Sequence, residues 1–257
     1  MTGDGSYRAL SLDLWFTAFY HRAEDAAGWE AARARFLRKV LVRRDGPPLT
    51  GTEVDAASCF VRSGLEVRGY GSVTTDPEAV LRAVAKRLGA EVNGPLGEVV
   101  REFSAAGLKE WPPRVNPEAE SLVRSLERMG IPSVLVTNSS RRATTWSDFL
   151  HARGGPPFRF VVSSSDLGVA KPDPAIFQEA ARRLDLPPRQ VLHVGDRWEL
   201  DVVGALAAGC GAVLYRGLWD RYPEGLYPPL SDPPPGTSGV RVVDHLDPLL
   251  DPALWDV

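Results

Sequence analysis

From Trp111 onward the chain repeats one pattern, and that pattern restricts the fold more than any other feature. A short apolar run ends in polar residues, and an amphipathic helix follows. Asn116-Pro117 opens a helix carrying Leu122, Val123, Leu126 and Met129, which Gly130 closes. Ile131–Val136 reads as a strand ending at Thr137-Asn138, followed by a helix over Arg141–Ala152. Phe158–Val162, Val191–Val194, Ala212–Tyr215 and Val240–Val243 read as further strands. Helices are expected over Pro174–Leu184 and Asp201–Ala208. Arg8–Leu12, ending in Asp13, supplies a first strand. Repeated strand–helix units imply a parallel, doubly wound α/β sheet with helices on both faces. Ligands in such sheets sit outside the carboxyl ends of the strands. Asp13, Thr137, the Ser163–Asp166 turn and Asp196, with Lys171 after the third strand, are therefore expected to converge.

Between Ala18 and Trp111 no strand-like run is evident and helical spacing dominates. Trp29, Phe36, Leu37, Val40 and Leu41 share one face. Thr50 and Glu53 form a capping box before Val54, Ala57, Val61 and Leu65. Val80, Leu81, Val84 and Leu88 mark a third helix, and Leu96, Val99, Val100 and Phe103 a fourth. The expected organisation is a discontinuous core, residues 1–17 and 112–257, with an all-helical insert at 18–111.

Composition excludes several classes. The chain has 257 residues, 44% hydrophobic and 25% charged, which suits a globular protein with a smaller attachment. No run of eighteen apolar residues exists, so no membrane span is expected. Met1–Tyr7 lacks the charge and apolar stretch of a signal peptide. A net charge of −3 gives no general attraction to nucleic acid. Cys59 and Cys210 cannot form a disulfide framework, so a reducing cytoplasm is the default location. Arg216–Gly239 holds six prolines and reads as a stiff surface loop, with a partner-binding segment as the alternative.

Four blocks of residues together resemble the haloacid dehalogenase superfamily, in the subgroup with a helical cap inserted after the first strand. They are Ser11-Leu12-Asp13-Leu14-Trp15-Phe16-Thr17, Val134-Leu135-Val136-Thr137-Asn138, Lys171-Pro172-Asp173-Pro174-Ala175-Ile176-Phe177, and Val194-Gly195-Asp196-Arg197-Trp198-Glu199-Leu200-Asp201. The resemblance implies a Rossmann-like core and an Mg²⁺-dependent hydrolase acting on a small phosphorylated molecule. It implies that Asp13 is the nucleophile, forming an aspartyl-phosphate. Mg²⁺ would be held by Asp13, Asp196 and the backbone carbonyl of Trp15, with Asp201 acting directly or through water. Asp201 also reads as a helix N-terminal acid favoured by the macrodipole. Thr137, with the backbone amides near Leu14 and Asn138, would bind phosphoryl oxygens. Lys171 would stabilise charge beside Asp13. It is one of only four lysines, the others being Lys39, Lys86 and Lys109, against 26 arginines.

One departure bears on activity. The family's phosphatases carry a second Asp two residues after the nucleophile, as acid and base; here Trp15 stands there, and indole has no titratable carboxyl. A positioned acid/base is worth about 10²–10⁴ in rate. Family dehalogenases carry Tyr there, with Ser-x-Asn in place of Gly195-Asp196. Family phosphonate hydrolases carry a small residue and a cap lysine. Three readings follow: a phosphohydrolase that is slow or restricted to good leaving groups, a binding or regulatory protein on the same scaffold, and a 2-haloacid dehalogenase-like enzyme. His21 and Tyr20 are candidate replacements for the acid/base, although an exposed histidine is the ordinary reading. Arg22, Arg33, Arg62, Arg68 and Tyr70 are candidate substrate contacts in the insert.

Overall fold

The computed structural model describes residues 6–43, 45–67, 77–221, 230–237 and 239–256. In chain order it runs β1 (Ala9–Leu12), β2 (Phe19–Tyr20), α1 (Ala23–Val40), β3 (Leu41–Arg43), α2 (Gly51–Val67), α3 (Pro77–Leu88), β4 (Ala90–Val92), α4 (Leu96–Glu110), β5 (Arg114–Val115) and α5 (Pro117–Arg128). It continues with β6 (Ser133–Thr137), α6 (Ala143–Ala152), β7 (Val161–Ser163), α7 (Ser164–Leu167), α8 (Pro174–Leu184), β8 (Val191–Gly195), α9 (Val203–Ala207), β9 (Gly211–Tyr215) and β10 (Arg241–Val243).

Six strands form one parallel sheet in the order β10-β9-β8-β1-β6-β7. The chain winds outward from β1 through β6 to β7, then returns to the other side of β1 at β8. The direction of winding therefore reverses between β1 and β8, where an open α/β sheet leaves a crevice at its carboxyl edge. Asp13 follows β1 and Asp196 follows β8, so the topology places both at this crevice.

Side chains alternate across the sheet, as strand geometry requires. Leu10, Leu12 and Leu135 join Leu122, Leu126 and Trp146 on one face. Ala9, Val134 and Val136 join Ile176, Phe177 and Ala180 on the other. Leu10 and Leu12 are fully buried, each worth about 1.5–3 kcal/mol relative to exposure. Helix starts follow local chemistry. Asn116 caps α5 by accepting the Glu118 amide at 3.1 Å, and Asp173 caps α8 by accepting the Ala175 amide at 2.9 Å. The Thr50–Glu53 box is reciprocal: Thr50 N–H donates to Glu53 at 2.9 Å, and Glu53 N–H to the Thr50 hydroxyl at 3.3 Å.

The segment between β2 and β5 contains α1 to α4 around its own apolar cluster, including Leu37, Val54, Leu81, Val84, Val100 and Phe103. It is not all-helical. Leu41, expected on the helical face of α1, begins β3, which pairs antiparallel with β4. Three-residue strands are too short to show alternation, and α1 simply gives way to extended backbone at a run of β-branched and long side chains. A second short ribbon, β2 against β5, ties this segment to the sheet. Asn116 braces the junction: its Nδ2 donates to the Thr17 carbonyl at 2.8 Å and to the Tyr215 hydroxyl at 3.1 Å.

A helix expected over Asp201–Ala208 also differs. A wide turn occupies Trp198–Val202, and regular helix begins only at Val203. The Arg197 carbonyl accepts from both Asp201 N–H (2.9 Å) and Val202 N–H (3.3 Å). Such bulges recur where a helix must aim a side chain, and here the residue aimed is Asp201. Of the proline-rich segment, residues 222–229 and 238 lie outside the described residues. Among the described residues, no helix is long and apolar enough to cross a membrane.

Candidate active site

The loop after β1 folds back sharply. The carbonyls of Asp13 and Leu14 accept from the amides of Ala18 (3.3 Å) and Phe19 (2.7 Å). Phe16 adopts a left-handed backbone, φ 55°, at a typical cost of about 1–3 kcal/mol for a non-glycine residue. Asp13 is thereby held at the sheet edge, 6% exposed, its amide donating to the Val194 carbonyl of β8 at 2.9 Å.

Asp13, Asp196 and Asp201 are all buried, and each offers a carboxylate oxygen within 4.8 Å of the others. Lys171, 2% exposed, bonds two of them: Asp13 through a short contact, and Asp201 Oδ1 at 2.6 Å. The Asp201 Oδ2 accepts the Arg197 amide at 3.0 Å, and Oδ1 also meets His193 Nε2 at 3.2 Å. Asp201 thus spends both oxygens on protein donors. The Asp196 carboxylate makes no side-chain hydrogen bond among the described residues.

The electrostatics follow from this crowding. Burial lifts Asp13 to about 6, against the pull of Lys171 and with a push from Asp201. Burial lifts Asp196 well above the carboxylate range, and repulsion from Asp13 and Asp201 adds to it. Burial also acts on Lys171, but its two carboxylates outweigh it and raise its pKa. At Asp201, Lys171 and His193 overcome burial and hold the acid well below its usual value. His193 itself is lowered by burial, more than Asp201 raises it. With all three acids ionised, one ammonium against them would leave an excess of two negative charges, eased only by Arg197 beside Asp196. An excess of two, an all-oxygen donor set and an undonated Asp196 fit a divalent hard cation.

Glycine at 195 is required by this arrangement. A Cβ there would lie 2.2 Å from Asp201 Cγ. Gly204 meets a comparable demand in α9: a Cβ would come within 2.6 Å of Phe177 and 2.9 Å of the Pro172 carbonyl, so α9 could not rest against the Lys171 loop.

Thr137, at the end of β6, is fully buried, and its hydroxyl has no hydrogen-bond partner. A buried hydroxyl without a partner is uncommon and suits a ligand oxygen. The Leu14 amide acts on the Asp13 carboxylate, holding it down. Asn138, expected to contribute its backbone, uses its side chain as a clamp. Its Oδ1 accepts the Lys171 amide at 2.7 Å, and its Nδ2 donates to the Lys171 carbonyl at 2.9 Å. The Ser163–Asp166 turn supports the loop after β6 rather than joining the carboxylates. Ser163 Oγ donates to the Arg141 carbonyl (2.6 Å), Ser164 Oγ accepts the Ser139 amide (3.0 Å), and Asp166 accepts the Ala143 amide (2.6 Å).

Trp15 is half-buried in an aromatic cluster. Its ring meets Trp146 edge-on at 5.6 Å and His21 at 5.2 Å. His21 is not the exposed histidine of the ordinary reading: it is 3% exposed, against Trp15 and Phe16, and burial lowers its pKa against the influence of Asp25. Tyr20 is half-buried beside it. Arg22 is exposed, and Arg33 stacks over Phe103 at 4.9 Å inside the insert. The Arg62 side chain, Arg68 and Tyr70 lie outside the described residues. Lys39, Lys86 and Lys109 are exposed, unlike Lys171. Sequence reasoning missed Ser11 and His193, two polar residues within apolar strands and directly below the carboxylates.

The family profile of haloacid dehalogenase-like hydrolases matches residues 97–209. Haloacid dehalogenase-like hydrolase domain-containing protein 3 of Bos taurus is 32% identical over 164 residues, 63% of this chain and 61% of that protein. A glyceraldehyde 3-phosphate phosphatase of Methanopyrus kandleri is 37% identical over 100 residues, 39% of this chain and 42% of that enzyme. The matched stretches thus span less than two thirds of those relatives' own length. The crystal structure of a HAD phosphatase from Thermococcus onnurineus shares the fold, with a TM-score of 0.60 and 17% identity over 94% of this chain and 95% of that one. The profile match over the second to fourth polar strand ends makes residues 97–209 similar to haloacid dehalogenase-like hydrolases, and the whole chain shares their parallel α/β fold.

Proposed function

We propose that the protein is an Mg²⁺-dependent phosphate-ester hydrolase of a small molecule, acting through Asp13 and suited to leaving groups that need no proton. The observation that carries this reading is Lys171 held between Asp13 and Asp201, with the undonated carboxylate of Asp196 and the unpartnered hydroxyl of Thr137 beside it. Phosphatases among its relatives support the substrate class.

Asp13 attacks phosphorus and becomes the aspartyl-phosphate; the leaving oxygen departs, and water then cleaves the acyl phosphate to return the carboxylate. Lys171 offsets the charge that builds on the phosphoryl oxygens, and Thr137 donates to one of them. Asp13, Asp196 and the Trp15 carbonyl would hold Mg²⁺, with Asp201 fixing Lys171. The metal supplies charge neutralisation to the transferring group when bound. Trp15 can offer its backbone to the metal but no proton to the leaving oxygen, so alkyl esters are poor substrates and aryl or acyl phosphates better ones. Residues 18–111 form the cap, hinged at β2 and β5 and touching the core where Arg141 Nε donates to the Ser104 carbonyl of α4 at 2.7 Å. A carbon–halogen reading is less suited to three crowded acids, which a metal-free site would leave uncompensated.

The test uses aryl, acyl and alkyl phosphates with Mg²⁺. Turnover is expected in the order acyl and aryl above alkyl, abolished by EDTA and by Asp13→Asn. Equal rates for wild type and Asp13→Asn on every ester would overturn the proposal.

A further inference from the structure

Below the carboxylates lies a second polar layer. Ser11 stands two residues before Asp13 on β1, and His193 two before Gly195 on β8. The strand register sets Ser11 opposite His193. Both are buried, 1% and 0% exposed. Their face of the sheet is otherwise apolar, lined by Ala9, Val134, Val136 and Phe177. A hydroxyl and an imidazole buried there are unfavourable unless hydrogen-bonded.

They are bonded, and in a line. Ser11 Oγ lies 2.8 Å from His193 Nδ1, and His193 Nε2 lies 3.2 Å from Asp201 Oδ1. That same oxygen receives Lys171 Nζ at 2.6 Å, and Lys171 in turn bonds Asp13. The Phe177 ring packs edge-on against the imidazole, with ring centroids 4.8 Å apart. Ionised Asp201 is an acceptor only, so the Nε2 facing it must carry a proton. Nδ1 of a neutral ring is then an acceptor, which suits the Ser11 hydroxyl as donor.

We propose that Ser11 and His193 are positioning residues. Ser11 donates to Nδ1 and so keeps the imidazole proton on Nε2, and that N–H holds Asp201 Oδ1 where it draws Lys171 against Asp13. With the opposite tautomer, two lone pairs would face each other at Nε2 and Oδ1, and Asp201 would withdraw from Lys171. This inference rests on the proposed phosphoryl transfer at Asp13, because the geometry it protects is that of Lys171 beside the nucleophile.

The experiment uses the full chain as wild type, Ser11→Ala, His193→Gln and His193→Phe. Long-range ¹H–¹⁵N correlation spectra report the tautomer of each imidazole, with the His193 signal identified by its loss in His193→Gln. A neutral Nε2–H ring in wild type, becoming a mixture in Ser11→Ala, is expected. A Nδ1–H ring in wild type, or no change on removing Ser11, overturns the proposal. Turnover of p-nitrophenyl phosphate at saturating Mg²⁺ supplies the second readout. His193→Phe is expected to lose about 10²-fold in kcat with little change in KM, the scale of loss for a group displaced by about 1 Å. His193→Gln, which places an amide N–H near Nε2, is expected to recover most of that loss. Equal losses in the two folded variants would reduce His193 to packing and refute its role. If His193→Phe does not fold, a kcat for Ser11→Ala equal to wild type refutes it instead. Should wild type turn over no phosphate ester, the functional reading falls, while the tautomer spectra still decide whether Ser11 governs His193.

Discussion

Replacing Lys171 with methionine removes the ammonium that bonds Asp13 and Asp201 and leaves three buried acids within 4.8 Å of one another. Two unit charges at that separation repel by about 3.5 kcal/mol at an effective dielectric near 20. A carboxylate so placed takes up a proton instead, and Asp201 is the group that swings furthest, since Lys171 is the chief influence holding it low. Carrying a proton at pH 7 on an acid whose unfolded pKa is about 3.9 costs about 4 kcal/mol, falling to about 1.5 kcal/mol at pH 5. The sign is definite. In wild type the depressed acid adds stability that is present above its unfolded pKa and lost as pH falls. In the variant the raised acid subtracts stability, increasingly so as pH rises from about 4. The difference between the proteins therefore widens with pH, and its size at pH 7 matches the loss of about 3–5 kcal/mol usual when one partner of a buried pair is removed. Urea unfolding of both proteins at pH 5, 6 and 7 measures it. A difference below about 1 kcal/mol at pH 7, or one that does not change between pH 5 and 7, would show that Lys171 does not balance this cluster.

Other outcomes follow from the same geometry. Trp15→Asp restores a carboxyl on the leaving-group side and should raise alkyl phosphate turnover by about 10²-fold; an unchanged rate for glycerol phosphate would mean that proton transfer is not what limits the enzyme. Gly195→Ala puts a methyl 2.2 Å from Asp201 Cγ, so Asp201 must shift and turnover should fall by at least about tenfold; full activity would refute the close approach. Burial pushes the Cys210 thiol up to about 12, whereas Cys59 is exposed. A thiol reagent at neutral pH should therefore label one cysteine in the native protein and two in urea, and mass spectrometry of the labelled peptides distinguishes them.

The sheet and four of the polar groups at its carboxyl ends are readable in sequence because they sit where apolar runs stop. Asp13 and Asp196 follow strands, Thr137 ends one, and Lys171 opens the block that leads into the helix expected and found over Pro174–Leu184. Ser11 and His193 are hidden because they lie inside strands, where a lone polar residue reads as incidental. Their period-two relation to Asp13 and Gly195 is the signal that places them on the site's face. The side-chain clamp of Asn138 on Lys171 is hidden because it joins residues 33 apart in sequence. The wide turn at Trp198–Val202 is not foreseeable because the contacts of Asp201 within it, to Lys171 and His193, come from other elements. His21 reads as exposed in sequence because its cover, Trp15 and Phe16, is brought over it by the fold-back after β1.

The central position of β1 also dictates an order of assembly. Its neighbours are β6 and β8, and the bond between Ser11 and His193 spans 182 residues of sequence. At a synthesis rate of about 5–20 residues per second, the first strand waits roughly 10–40 s for its second partner to be made. The insert is translated in the meantime, with a self-contained apolar cluster drawn from neighbouring helices, and such short-range contacts form early. The strand that ends at Asp13 is thus made first and gains its second neighbour only when β8 is made. Until β8 arrives, the backbone groups of Ala9–Leu12 that later pair with Val191–Val194 form an open strand edge, while Leu10 and Leu12 can already pack against Leu122, Leu126 and Trp146.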